Sequence, residues 1–308
     1  MIGRPFGGDR AFARIHAYAP SASYRFDPTK MPASAPSLSP NLCFTSLAAV
    51  AGAPILVFDS GLGGLSVVAH LRAALPERAL AYLCDNAALP YGTKADEWLV
   101  ERIVSVCRAG VAASGANTLV VACNTASTLA LEQLRASIAL PIVGTVPAVK
   151  PAAEASRSRV IGLLATSATV RRPYTDALIE RFAGSCRVIR VAADPLVLEA
   201  ERLLAGAAPD AEVIAAALAP LFDTPELDTV VMGCTHFPLL RAWCETLAPR
   251  PIQWIDSGAA IARRTAQVAP PGGRRGDLDV SFATAPEHAG LARALARFDF
   301  AAPSPITL

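Results

Sequence analysis

Thr118-Leu119-Val120-Val121-Ala122-Cys123-Asn124-Thr125 and Thr229-Val230-Val231-Met232-Gly233-Cys234-Thr235-His236 are two versions of one pattern. In each, a threonine opens a short apolar run rich in β-branched residues, which reads as a buried strand. A cysteine stands just past the end of the run. A polar pair follows, and then a helical pattern. The two cysteines are 111 residues apart, about one domain length. An internal duplication of an α/β unit accounts for this spacing. Open α/β sheets bind ligands outside the carboxyl ends of their strands. Two such units facing each other therefore present two thiols to one shared cleft.

The same alternation extends outward from both stretches. Ile55-Leu56-Val57-Phe58 reads as a strand ended by Asp59-Ser60-Gly61, with a helix over 65–75. Strands at 79–84 and 142–143 and helices at 98–114 and 127–138 complete the first unit. The pattern restarts with a strand at 159–164, a helix at 174–182 and a strand at 188–191. Helices at 212–222 and 239–247 and a strand at 252–255 finish it. Strands alternating with helices predict βαβ units, mainly parallel sheets and an α/β fold. Residues 1–52 differ: they are rich in Pro, Ser, Ala and Arg, with Asp9 and Asp27 as their acids. They read as a poorly ordered N-terminal extension, with Met31 as an alternative start and a transit-like segment as the weaker reading.

The chain has 308 residues, 53% of them hydrophobic and 18% charged, enough apolar side chain to bury a large core. A net charge of +2 without a Lys/Arg block gives no nucleic-acid footprint. No apolar run reaches the roughly 18 residues of a membrane span. Seven cysteines with no C-x-x-C pair read as free thiols in a reducing cytosol. Three lysines, Lys30, Lys94 and Lys150, leave Lys94 alone to carry a pyridoxal Schiff base, with nothing to support it. No His/Cys group has zinc spacing. The expectation is an enzyme without cofactor or metal.

Two opposed thiols suit inversion at carbon. One thiolate takes the proton from one face and the opposite thiol returns one to the other. The roles exchange in the reverse direction, so both groups should be of one kind. Helix N-terminal turns after Cys123 and Cys234 favour a thiolate or an anionic substrate. His236 is placed to tune or shuttle the proton of Cys234. Asp59 is placed to do the same for Cys123 or to hold an ammonium group. Asn124, Thr125, Thr235 and Ser60 offer donors to a carboxylate, and the Gly61-Leu62-Gly63-Gly64 turn offers backbone N–H groups. The Pro90-Tyr91-Gly92-Thr93 turn is a candidate to close over a second carboxylate. Against this stands the bland reading of cysteine as a small core residue, which is applied to Cys84, Cys107 and Cys244. The glycine turn alone is also compatible with a phosphate cradle, but it is not G-x-G-x-x-G and no Walker lysine follows.

Asp59-Ser60-Gly61-Leu62-Gly63-Gly64-Leu65-Ser66-Val67, Pro90-Tyr91-Gly92, Cys123-Asn124-Thr125-Ala126 and Gly233-Cys234-Thr235-His236 together resemble the glutamate racemases. So does Ala168-Thr169-Val170-Arg171 before Pro173-Tyr174, and the likeness spans residues 54–298. The resemblance implies cofactor-independent interconversion of L- and D-glutamate, supplying D-glutamate for peptidoglycan. It implies two flavodoxin-like domains about a pseudo-twofold axis, with residues 53–148 plus 257–300 in the first and 149–256 in the second. The active site then lies between them, and a homodimer is a common assembly. Cys123 and Cys234 become the two bases. Asp59, Ser60, Tyr91, Gly92, Asn124, Thr125, Thr235 and His236 become substrate contacts. An acidic residue should assist the second cysteine. In Pro195-Leu196-Val197-Leu198-Glu199-Ala200-Glu201-Arg202 either Glu199 or Glu201 can serve, with Glu201 preferred. Two other classes stay open: a related two-cysteine enzyme acting on aspartate or a hydantoin, and a binding module that uses the cleft without chemistry.

Overall fold

The structure, a computed structural model, describes residues 52–308; the expected extension over residues 1–52 lies outside them except for Gly52. The chain begins with β1 (Ile55–Asp59), α1 (Leu65–Ala74), β2 (Leu80–Cys84), α2 (Asp96–Ser114), β3 (Thr118–Val121), α3 (Asn124–Ser137), β4 (Ile142–Gly144) and α4 (Val149–Ala155). It continues with β5 (Val160–Ala165), α5 (Ser167–Val170), α6 (Pro173–Ala183), β6 (Arg187–Ala192), α7 (Pro195–Leu204), α8 (Ala211–Phe222), β7 (Thr229–Met232), α9 (Arg241–Leu247) and β8 (Gln253–Ile255). It ends with α10 (Gly258–Val268), β9 (Val280–Ala283), α11 (Leu291–Ala296) and β10 (Ser304–Pro305).

These strands form two sheets, β10-β9-β2-β1-β3-β4 and β6-β5-β7-β8. Every strand pairing within them is parallel. The order β6-β5-β7-β8 repeats β2-β1-β3-β4, so β3 and β7, the strands that lead to Cys123 and Cys234, hold equivalent places. This is a two-domain α/β fold. After the second sheet the chain returns to the first, where β9 pairs with β2.

The near-continuous apolar strands follow from sheets covered on both faces. Ile55 and Val57 of β1 point into a core with Leu65, Leu71 and Tyr82, while Leu56 and Phe58 point into another with Leu99, Ile103 and Leu134. The first of these cores runs on through Leu164, Val230 and Met232, joining the two sheets. Ile161, Leu163 and Val231 pack on the remaining face of the second sheet.

Two of the differences from the expected helices bear on the cysteines. The helix expected from 127 begins at Asn124, with Cys123 in extended backbone at its N-cap. The helix expected over 239–247 splits into a 3-10 turn, Phe237–Leu240, followed by α9. Pro238 has no N–H to enter a regular ladder. Cys234 thus precedes a tight turn rather than an α-helix N-terminus, and its electrostatic help must come from side chains.

Candidate active site

The carboxyl ends of the strands converge between the sheets. Asp59 ends β1, Cys123 follows β3 by two residues, Thr166 follows β5 by one and Cys234 follows β7 by two. All four are buried. Parallel pairing of Phe58 with Val121 carries β1 and β3 alongside one another, which brings Cys123 Sγ to 3.7 Å from Ser60 Oγ. Burial pushes the Cys123 thiol well above its ordinary range, and the Asp59 charge adds to this. The Ala126 N–H at the helix start and the Ser60 hydroxyl act in the opposite sense. The charge of Cys234 is also felt at Cys123, so the two sulfurs share one electrostatic environment.

Asp59 joins the domains. Its Oδ1 accepts from Gly61 N at 2.9 Å and its Oδ2 accepts from the Thr235 hydroxyl at 2.9 Å. Burial raises its carboxyl above the usual range, while His236 and these donors oppose the shift. Ser66 Oγ donates to Thr235 O at 2.8 Å, a second link between the glycine turn and the Cys234 turn.

Cys234 stands 3.7 Å from His236 Nδ1, and His236 Nε2 lies 2.7 Å from Glu201 Oε1. Burial pulls the imidazole down, but Cys234 and Glu201 outweigh it and hold His236 well above its ordinary value. Glu201 Oε1 also accepts from Leu62 N at 2.6 Å, so the first domain's glycine turn touches the second domain's acid. Glu199 turns elsewhere: its carboxylate accepts from Asp210 N at 2.7 Å and pairs with Arg202.

The remaining expected residues take distinct places. Thr125 Oγ1 lies 3.3 Å from Thr166 Oγ1 across the cleft. Asn124 Nδ2 is buried with no hydrogen-bond partner and lines a small cavity with Ser66, Thr145, Cys234, Thr235 and Ser257. An unpaired buried amide in a cavity that Cys234 also lines is suited to a ligand oxygen. The Tyr91 hydroxyl does not face the cleft: it donates to Asp85 Oδ2 at 2.7 Å. What that segment presents across the cleft is Gly92, whose Cα faces Thr166 and Asp194. Thr166 and Asp85 carried no signal in the sequence beyond their position after strands, and Ser66 none beyond its place in the glycine-turn motif. Among the described residues, no group of three or more His, Cys, Asp and Glu side chains is arranged to hold a metal ion. No helix among them is long and apolar enough to cross a membrane.

Residues 64–265 match the family model of the Asp/Glu/hydantoin racemases. The chain belongs to this family and is an isomerase, a racemase. Within the family its similarity runs to the glutamate racemases. It is 49% identical to that of Salmonella gallinarum over 213 residues, 69% of this chain and 75% of the relative. It is 50% identical to that of Sphingopyxis alaskensis over 219 residues, 70% of this chain and 82% of the relative. Among solved structures, Escherichia coli glutamate racemase in complex with L-glutamate and the activator UDP-MurNAc-ala superposes with a TM-score of 0.79. That match has 40% identity and covers 83% of this chain and 98% of the other.

Proposed function

We propose that this racemase interconverts L- and D-glutamate by a two-base mechanism in which Cys123 and Cys234 work on opposite faces of the α-carbon. The observation that carries it is the pair of buried thiols at equivalent strand ends, each with its own proton partner. One thiolate takes the α-proton: the Cα–H bond breaks and an S–H bond forms. The carbanion then takes a proton from the opposite thiol, which breaks that S–H bond and forms Cα–H on the other face. The enzyme is left with thiol and thiolate exchanged and resets by proton exchange with solvent.

The two thiols have different surroundings: burial and Asp59 push Cys123 up, while Cys234 Sγ lies 3.7 Å from His236 Nδ1. Each serves as base towards one enantiomer and as acid towards the other. Asn124, Thr125, Thr166, Thr235, Ser60 and the backbone at Gly92 supply neutral donors for the substrate carboxylates. Buried Asp59 complements the ammonium group. The likeness to glutamate racemases, one of them solved with L-glutamate, supports this substrate, and D-glutamate for peptidoglycan is the role we infer.

The test is loss of optical activity from L-glutamate and, separately, L-aspartate, with no added cofactor. Ellipticity should fall to zero with glutamate and far more slowly with aspartate. Cys123→Ala and Cys234→Ala should each lose about 10²–10⁴-fold in rate, the span of a general acid or base. Full racemisation by Cys123→Ala overturns the mechanism, and faster turnover of aspartate overturns the substrate.

A further inference from the structure

Tyr82 lies in the middle of β2, fully buried, 5.7 Å ring to ring from Phe300. Its hydroxyl donates to Gly61 O at 2.8 Å. That carbonyl belongs to the same peptide unit as Leu62 N–H, which donates to Glu201 Oε1 at 2.6 Å. One rigid, planar peptide is therefore held at both ends. A donor on its carbonyl fixes its orientation and strengthens the N–H at the other end. Glu201 then bonds His236 Nε2 at 2.7 Å, and His236 Nδ1 faces Cys234 Sγ at 3.7 Å. The contact with the peptide is close: a Cβ at Gly61 would collide with Glu201 Oε1, and one at Gly63 with His236.

We propose that Tyr82 is a positioning residue for Cys234, acting through the Gly61–Leu62 peptide, Glu201 and His236. No atom of Tyr82 is bonded to Cys234 or His236; the relay crosses from the first domain to the second. The phenol is a dependable donor, because burial and the surrounding acids hold it protonated. The glycine turn thereby has a purpose other than cradling phosphate. It lets a backbone amide and two side chains of the opposite domain meet at bonding distance. The proposal rests on the two-base reading above.

The test is Tyr82→Phe, with substrate deuterium isotope effects on kcat/KM measured separately from [2-²H]-L- and [2-²H]-D-glutamate. Each enantiomer is deprotonated by a different cysteine. A weaker Cys234 step raises the isotope effect for the enantiomer it deprotonates and lowers the effect for the other. This ratio does not depend on the fraction of folded enzyme, so a merely structural loss leaves it unchanged. Glu201→Gln sets the expected direction. Tyr82→Phe should move the ratio the same way and lower kcat/KM by about tenfold, the order of one buried hydrogen bond. Gly61→Ala should move it likewise, and the double variant Tyr82→Phe/Glu201→Gln should move it no further than Glu201→Gln. An unchanged ratio in Tyr82→Phe, with the wild type racemising, overturns the positioning role. A wild type that does not racemise overturns the two-base reading itself.

Discussion

At Cys123 a sulfur faces a serine hydroxyl and a helix-start amide; at Cys234 a sulfur faces an imidazole held by a carboxylate. The two thiols thus sit in different surroundings, because Cys123 caps α3, which begins at Asn124, whereas Pro238 spoils the helix start after Cys234. The His236 pair has a pH signature. Its folded value lies above the unfolded one, so its contribution to stability is complete below about pH 6.5 and fades as pH rises through the raised value. The melting-temperature gap between wild type and Glu201→Gln should therefore be widest at pH 6 and narrow towards pH 10. A gap that widens with pH contradicts the pairing. At this scale the sequence pointed to Asp59, which ends an apolar strand, to the cysteines just past two others, and to His236 two residues after Cys234. It did not show that the Tyr91 hydroxyl turns away to Asp85, since Asp85 also anchors Arg102 and Thr284 from distant elements.

Helix α7 shows what an element adds. Glu199 and Glu201 are two residues apart, which on a helix places them about 200° apart around the axis. Only one can face the cleft. Glu201 does, reaching His236 and Leu62 N, while Glu199 ties the helix to the following loop through Asp210 N. Sequence reading preferred Glu201 but left Glu199 open, because the spacing puts the two on opposite faces of a helix without saying which face meets the cleft. The two variants should separate cleanly. Glu201→Gln should lower kcat by about 10–100-fold with a small change in melting temperature. Glu199→Ala should keep kcat within about twofold and cost about 1 kcal/mol of stability, the order of one part-buried hydrogen bond. Thermal melts and steady-state kinetics on both check this, and a large kcat loss in Glu199→Ala with none in Glu201→Gln reverses the assignment.

The whole molecule was legible to the extent that it repeats. Two matched strand–cysteine segments one domain length apart announced two parallel sheets, and β6-β5-β7-β8 does repeat β2-β1-β3-β4. The returning segment was not legible from pattern: β9 is short and pairs with β2 nearly 200 residues earlier in the chain. Nor were the bonds that close the cleft, such as Thr235 to Asp59, Leu62 to Glu201 and the two-pronged Arg172–Asp96 pair. These join residues with no local relation, and only the packed pair of domains selects them. What we propose for the assembly is two separate proton partners on two sides of one site, and deuterium labelling tests that proposal most directly. L-glutamate is converted in D2O for a small fraction of one turnover of the pool, and both enantiomers are separated and analysed by mass. Two bases predict that the D-glutamate formed carries deuterium at Cα in nearly every molecule while the remaining L-glutamate keeps its proton. D-glutamate that retains the original proton, returned by the group that removed it, would contradict the account.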